Sequence, residues 1–308
     1  MAQKTSREMS SSDATRCDLR LGVHQKTVLI TGCSEGGIGE ALAKAFHRKG
    51  LRVLATGRTL AKIEHLKSLG IVTLPLDVVD SASIEKGVEV VKAAGGTLDI
   101  LVNNSGAGYS GPLLDTNVEQ AKQMFDVNVF APVAVTQAFA PLLMASKGTV
   151  VNIGSISGNF PFFWNGYYNA SKAALNMLTD QLRLELAPFD INVILVVTGA
   201  VKTRFLQNQP PVTLPNDSYY AAAREEIEFA AEGGVVKSMA VDVDRYAEKV
   251  VRNALKKNPS TRQHAGGGAT LMWLVFVLIW HRISEMGISR KWGVPKVARK
   301  IKLAQSQA

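Results

Sequence analysis

Short apolar runs alternate with amphipathic helical stretches along most of this chain, and that alternation limits the fold more than any other feature. Thr27-Val-Leu-Ile, following Lys26, reads as a first buried strand. A glycine-rich turn, Thr31-Gly-Cys-Ser-Glu-Gly-Gly-Ile-Gly39, follows, then a helix through Arg48 that stops at Gly50. Leu51 to Thr56 is the next strand, so the opening is one strand–helix–strand unit. The pattern then repeats. Strands are expected at Ile71–Asp77, Leu98–Asn104, Gly148–Ser155 and Ile191–Val197, with helices at Ser81–Ala94 and Gly166–Ala187. A capping box, Thr116-x-x-Glu119, opens a further long helix reaching about Ser146. Apolar strands separated by helices mean a parallel sheet buried on both faces: an α/β, doubly wound architecture. Ligands of such sheets bind beyond the carboxyl ends of the strands.

At 308 residues and 46% hydrophobic composition, the chain can bury one large core as a single α/β domain. Three segments are expected: a disordered extension over 1–25, a catalytic domain over 26–264, and an apolar helix with a basic tail over 265–308. The first two dozen residues have no apolar core of a signal peptide. The two cysteines, Cys17 and Cys33, form neither a disulfide framework nor a metal-ligand spacing. Net charge is +9, and +6 of it lies after His281, where seven basic residues face Glu285 alone. The rest is near balance, which argues against a nucleic-acid surface. Beyond Thr198, Lys202–Asp217 reads as a mobile loop, with helices near Tyr219–Ala231 and Asp242–Lys257.

The residues with chemical potential sit at strand ends. The glycine turn suits a dinucleotide pyrophosphate, because glycines admit the backbone and the helix N-terminus supplies N–H donors. Arg58 ends the second strand, nineteen residues past Gly39, where an NAD-binding chain carries an acid. A cation there suits a 2′-phosphate, hence NADP(H); otherwise it is an exposed arginine. Asn103-Asn-Ser-Gly-Ala-Gly108 is either an ordinary turn or a wall close to the cofactor. Asn128 is a poor helix former in mid-helix and bonds either its own backbone or a buried water. Tyr168 and Lys172 are four residues apart in a helix, so they share one face, and Ser155 lies thirteen residues before the tyrosine. An ammonium so near is expected to lower the phenol pKa, and the serine could hydrogen-bond a carbonyl.

These motifs, in this order, resemble the short-chain dehydrogenase/reductase family with its Rossmann fold, over about Lys26–Thr203. The resemblance rests on Thr31–Gly39, Asp77, Asn103-Asn-Ser-Gly106, Asn128, Ser155, Tyr168-x-x-x-Lys172 and Thr198-Gly-Ala-Val-Lys-Thr203. One extra residue in the first loop, Ser105 for Ala and Thr198 for Pro depart from the family pattern. The resemblance implies an NADP(H)-dependent oxidoreductase. Ser155, Tyr168, Lys172 and Asn128 would be catalytic, with Asn128 holding a water that links Lys172 to solvent. Gly32, Ser34, Gly37, Ile38, Gly39, Arg58, Asp77, Asn104, Asn128, Tyr168, Lys172, Val201 and Thr203 would hold the cofactor, Asp77 at the adenine, Val201 and Thr203 at the carboxamide. The form of the first loop, Thr31–Ala43, with the apolar C-terminal segment, looks most similar to fungal NADPH-dependent 1-acyldihydroxyacetone-phosphate reductases; hydroxysteroid and retinol dehydrogenases are also similar.

Two stretches bear on substrate and location. Phe160-Pro-Phe-Phe-Trp164 is either packing for its connection or an apolar entrance for a lipid tail or polycyclic ketone. Ala265–Trp280 holds no charge in sixteen residues, short of the roughly 20 that span a bilayer. With the basic tail it suits a helix lying in a membrane interface; the rival is burial against the domain or a dimer partner. Expected partners are therefore a small lipophilic ketone, a membrane or lipid-droplet surface and a homo-oligomer copy. The expected location is the cytoplasmic face of the endoplasmic reticulum or a lipid droplet, or else the cytoplasm.

Overall fold

In the computed structural model, residues 25–234, 237–278, 286–287, 289–291 and 293–307 are described. Residues 1–24 of the expected N-terminal extension, and Ile279 and Trp280 of the apolar segment, lie outside them. Seven parallel strands form one sheet in the order β3-β2-β1-β4-β5-β6-β7. They are β1 (Thr27–Ile30), β2 (Arg52–Gly57), β3 (Val72–Pro75), β4 (Ile100–Asn103), β5 (Thr149–Ile153), β6 (Asn192–Thr198) and β7 (Arg262–Ala265). The helices are α1 (Ile38–Arg48), α2 (Ser81–Ala93), α3 (Val118–Phe125), α4 (Ala131–Ser146), α5 (Gly166–Leu186), α6 (Arg224–Ala231), α7 (Val243–Ala254), α8 (Ala269–Leu278) and α9 (Val294–Gln307).

The alternation of side chains along each strand divides the core into two layers. Val28 and Ile30 of β1 face Leu42 and Phe46 of α1 and Tyr246 and Val250 of α7. Leu29, between them, faces the opposite layer with Val88 of α2 and Val135, Phe139 and Leu143 of α4. The strand order reverses direction between β1 and β4, which opens the crevice at the carboxyl edge of the sheet.

Several expectations needed correction. The long helix is capped by Asn117, whose Oδ1 accepts from the N–H groups of Glu119 and Gln120, and not by Thr116. The hydroxyl of Thr116 donates to Leu113 instead. The same helix is interrupted by a π-helical turn, Asp126–Phe130, separating α3 from α4. The α6 helix begins at Arg224, later than expected, after a 3₁₀ turn at Ala221–Ala223.

The apolar stretch 265–280 divides. Ala265 closes β7, and the backbone of Gly267 exchanges hydrogen bonds with Ala200 at 2.8 and 2.9 Å. A Cβ on Gly267 would stand 1.7 Å from the carbonyl oxygen of Met239, so only glycine fits that approach. The stretch thus starts as part of the sheet's edge, and α8 begins only at Ala269. Among the described residues, the one helical run long and apolar enough to cross a bilayer is Val118–Ser146, and it supplies Val135 and Phe139 to the core.

Candidate active site

Six strand ends converge on the crevice. Thr31 follows β1 and its hydroxyl accepts from the N–H groups of Asn104 and Ser105, both at 3.0 Å. The amide of Asn104 donates to the carbonyls of Thr31 and Gly32 at 2.8 and 2.9 Å. The ends of β1 and β4 are therefore stitched together beneath the glycine turn. Gly39 lies in the first turn of α1, and a Cβ there would lie 2.4 Å from the carbonyl of Gly32 and 2.5 Å from the amide nitrogen of Asn104. Gly32, Ser34, Gly37 and Ile38 line the glycine turn, and Gly37 donates to the carbonyl of Ser34 at 3.1 Å. Arg58 is exposed just beyond β2, and Asp77 follows β3 with one carboxylate oxygen accepting from Val79. On the other side of the crevice, Val201 bridges to Val241 and the hydroxyl of Thr203 accepts from Phe205.

These residues fit a dinucleotide. The turn leaves no room for side chains where a pyrophosphate would approach, and α1 presents its N-terminus there. An exposed guanidinium at the end of β2 fits a 2′-phosphate.

The reacting groups come from β5 and α5. Ser155, just past β5, is buried, and its hydroxyl hydrogen-bonds the phenol of Tyr168. Lys172 lies one turn further along α5, with its Nζ 5.9 Å from the centre of the Tyr168 ring. The spacing on one helix face is as expected, but its electrostatic consequence is not. Burial pushes the Tyr168 phenol up to about 12, and the Ser155 hydrogen bond offsets this only in part. The Lys172 ammonium donates to the carbonyl of Ile153 at 3.1 Å, and burial pushes it down to about 8.

Asn128 sits in the π-helical turn, a form of helix often found at functional sites. Its Oδ1 accepts from the N–H of Ala107 at 2.8 Å, while its amide donates to the Ala107 carbonyl and the Ser171 hydroxyl at 2.9 and 3.1 Å. Both amide hydrogens are thereby spent on protein. The side chain ties the 103–108 wall to α5 next to Lys172.

A second polar string was not anticipated. The Asn103 amide donates to Thr136 and Asn152, and the Asn152 amide donates to Thr179 at 2.9 Å, all fully buried. It joins β4 and β5 to α4 and α5 directly behind the site. The signal available in sequence was an asparagine inside each of two apolar strand runs, where an unpaired amide is costly.

In the stretch between Ser155 and Tyr168, Phe160 and Phe162 are buried against Ala230 of α6 and Met272 of α8. The packing alternative therefore holds for those two residues. The wall next to the phenol is instead Phe205, its ring centre 6.0 Å from that of Tyr168.

Residues 26–212 match the short chain dehydrogenase family model, and the chain belongs to that family. It is 44% identical over 258 residues to a short-chain dehydrogenase of Penicillium ochrochloron, covering 83% of this chain and 94% of the relative. An NADPH-dependent 1-acyldihydroxyacetone phosphate reductase of Schizosaccharomyces pombe is 44% identical over 209 residues, 66% of this chain and 70% of that protein. Among solved structures, a short-chain dehydrogenase from Streptomyces avermitilis superimposes with a TM-score of 0.73 at 29% identity, over 91% of this chain and 99% of that one. The protein is an oxidoreductase of the alcohol/carbonyl class.

Proposed function

We propose that this enzyme reduces the ketone of a lipophilic substrate to a secondary alcohol. The observation that carries the reading is Ser155 hydrogen-bonded to the protonated phenol of a half-buried Tyr168, with an apolar aromatic wall, Phe205, beside it. NADP(H) is the cofactor, in keeping with Arg58 at the end of β2 and with the NADPH-dependent relative. When bound, it supplies the hydride for the carbonyl carbon. Ser155 holds the carbonyl oxygen, and Tyr168 donates to it the proton that the developing alkoxide needs. Lys172, when charged, favours the phenolate that remains after that transfer. Arg58→Ala is expected to raise the KM for NADPH about ten- to a hundredfold, the worth of a charge-assisted hydrogen bond, and to leave NADH use unchanged. Steady-state kinetics with both cofactors check this.

Burial of Lys172 also sets a pH dependence. The ammonium is charged below about 8 and neutral above it in the cofactor-free enzyme. The kcat/KM for NADPH reports groups of the free enzyme, so it should fall as pH rises through about 8. A flat profile across that range would remove Lys172 from this role.

Two substrates are favoured by different observations. The Schizosaccharomyces pombe relative supports 1-acyldihydroxyacetone phosphate, reduced to 1-acylglycerol 3-phosphate. Against it, Arg204, a natural phosphate partner, is paired with Glu35 at 3.3 Å. Matches of nearly full length to fungal short-chain dehydrogenases support a steroid, retinoid or polyketide ketone of secondary metabolism. NADPH oxidation across a panel of acyl-dihydroxyacetone phosphate, 3- and 17-ketosteroids, retinal and aromatic polyketide ketones separates them. A lipid surface remains part of the reading, because Leu271, Trp273 and Leu274 of α8 stand 65%, 38% and 41% exposed. Flotation with anionic vesicles tests it, and full recovery in the vesicle-free fraction at low salt would count against it.

A further inference from the structure

The C-terminal basic helix does more than carry charge. Lys296 and Lys300, one turn apart on α9, both reach Glu226 of α6, at 2.9 and 2.7 Å. The Glu226 side chain is only 14% exposed, and the two ammoniums, Lys300 first, hold its carboxyl at about 2. Beside this cluster Val297 is 3% exposed, and with Ile301 it packs on Leu214, Ala223, Ile227, Trp164 and Tyr220. An amphipathic helix thus presents an apolar stripe and two cations to one element, and each finds its complement there.

The contacts lead inward to the reacting groups by two routes. Leu214 belongs to the 202–218 loop, where its N–H donates to Glu228 of α6 at 3.3 Å and its carbonyl accepts from Arg224. That loop also holds Phe205, the wall beside Tyr168. On the second route, the Trp164 ring meets Tyr220 edge-on at 5.6 Å, and its backbone is held in the left-handed region at φ 64°. The Trp164 carbonyl accepts from Gly111 at 2.7 Å, two residues before α5 begins and four before Tyr168.

We propose that α9 is a strap that sets ketone binding: its seat on Glu226 and Ile227 fixes the 202–218 loop and Trp164, and through them the substrate side of the site. The inference rests on the reading that Tyr168 faces a ketone. Among the described residues no hydrogen bond or ion pair joins α9 to the glycine turn or Arg58, and the cofactor end of the loop has its own anchor, the Arg204 N–H donating to the Gly36 carbonyl at 3.0 Å, so cofactor binding should be less sensitive to α9 than ketone binding.

The test uses full-length variants and the best ketone of the panel. Glu226→Lys sets three cations against one another and should raise the ketone KM about tenfold, the size of a lost charge-assisted pair, with the NADPH Kd within about twofold of wild type. Reversing the lysines as well (E226K/K296E/K300E) should restore the KM to within about threefold, which a merely misfolded variant would not do. Hydrogen exchange read without substrate should accelerate over 205–231 in E226K and recover in the triple variant. An unchanged KM in E226K with unchanged exchange, or an NADPH Kd that rises in step with the KM, overturns the strap. Loss of ketone reduction by wild type across the whole panel, with the exchange pattern intact, would instead overturn the functional reading and leave the strap standing.

Discussion

Tyr168→Phe is expected to lower kcat by about 10²- to 10⁴-fold, the span attributed to a positioned proton donor. The substitution removes one oxygen from a partly buried ring that still packs against Phe205. It removes no contact with the glycine turn, so the Kd for NADPH should stay within about threefold of wild type. The physical case lies in the protonation state. Burial keeps the phenol protonated at working pH, as a donor must be, and the Ser155 hydrogen bond aligns it with the oxygen it serves. Ser155→Ala should cost less, because the phenol and its proton remain. Pre-steady-state turnover with NADPH, paired with a circular dichroism spectrum, reads the effect. Near-wild-type turnover in the phenylalanine variant would take Tyr168 out of the chemistry.

The expectation that failed here shows what a linear sequence carries and what it omits. The four-residue spacing of Tyr168 and Lys172 placed both on one helix face, because helix geometry is local. Their pKa values depend on how much protein covers them, which is not local. Lys172 turned to the carbonyl of Ile153, and burial moved tyrosine and lysine in opposite directions. The same division runs through the fold. Five of the strands are almost wholly buried and stand out as apolar runs, and edge strand β3, though more exposed, still reads as one. Edge strand β7, Arg-Gln-His-Ala, has only one neighbouring strand and a polar composition, so nothing marked it. Gly266–Gly268 beside it looked like the lead-in to an apolar helix, but those glycines serve a close backbone approach to Ala200 and Met239. Phe160 and Phe162 posed a choice that only the position of α6 and α8 could decide. The basic tail, finally, read as a surface charge because its partner, Glu226, lies seventy residues upstream of Lys296.

Gly39→Ala is the second large effect, and it should strike fold and cofactor together. The added methyl would lie 2.4 Å from the Gly32 carbonyl oxygen and 2.5 Å from the Asn104 amide nitrogen. Neither can retreat cheaply. The Gly32 carbonyl accepts from Asn104, and the backbone N–H of Asn104 is bound to the Thr31 hydroxyl, so yielding at one point breaks the stitch between β1 and β4. Overpacking of this kind costs about 1–3 kcal/mol, and loss of a buried amide hydrogen bond adds about 1–3 kcal/mol more. A destabilisation of that size is readable as a lowered urea midpoint with an unchanged slope. Whatever relaxation the turn finds must push the Gly32–Gly39 backbone toward the crevice, where the pyrophosphate would rest. The expected outcome is therefore a KM for NADPH raised by at least about a hundredfold, with NADH equally affected. That shared loss separates this position from Arg58, whose replacement should spare NADH. An alanine variant with wild-type stability and wild-type affinity for both cofactors would show that the turn is not the pyrophosphate cradle.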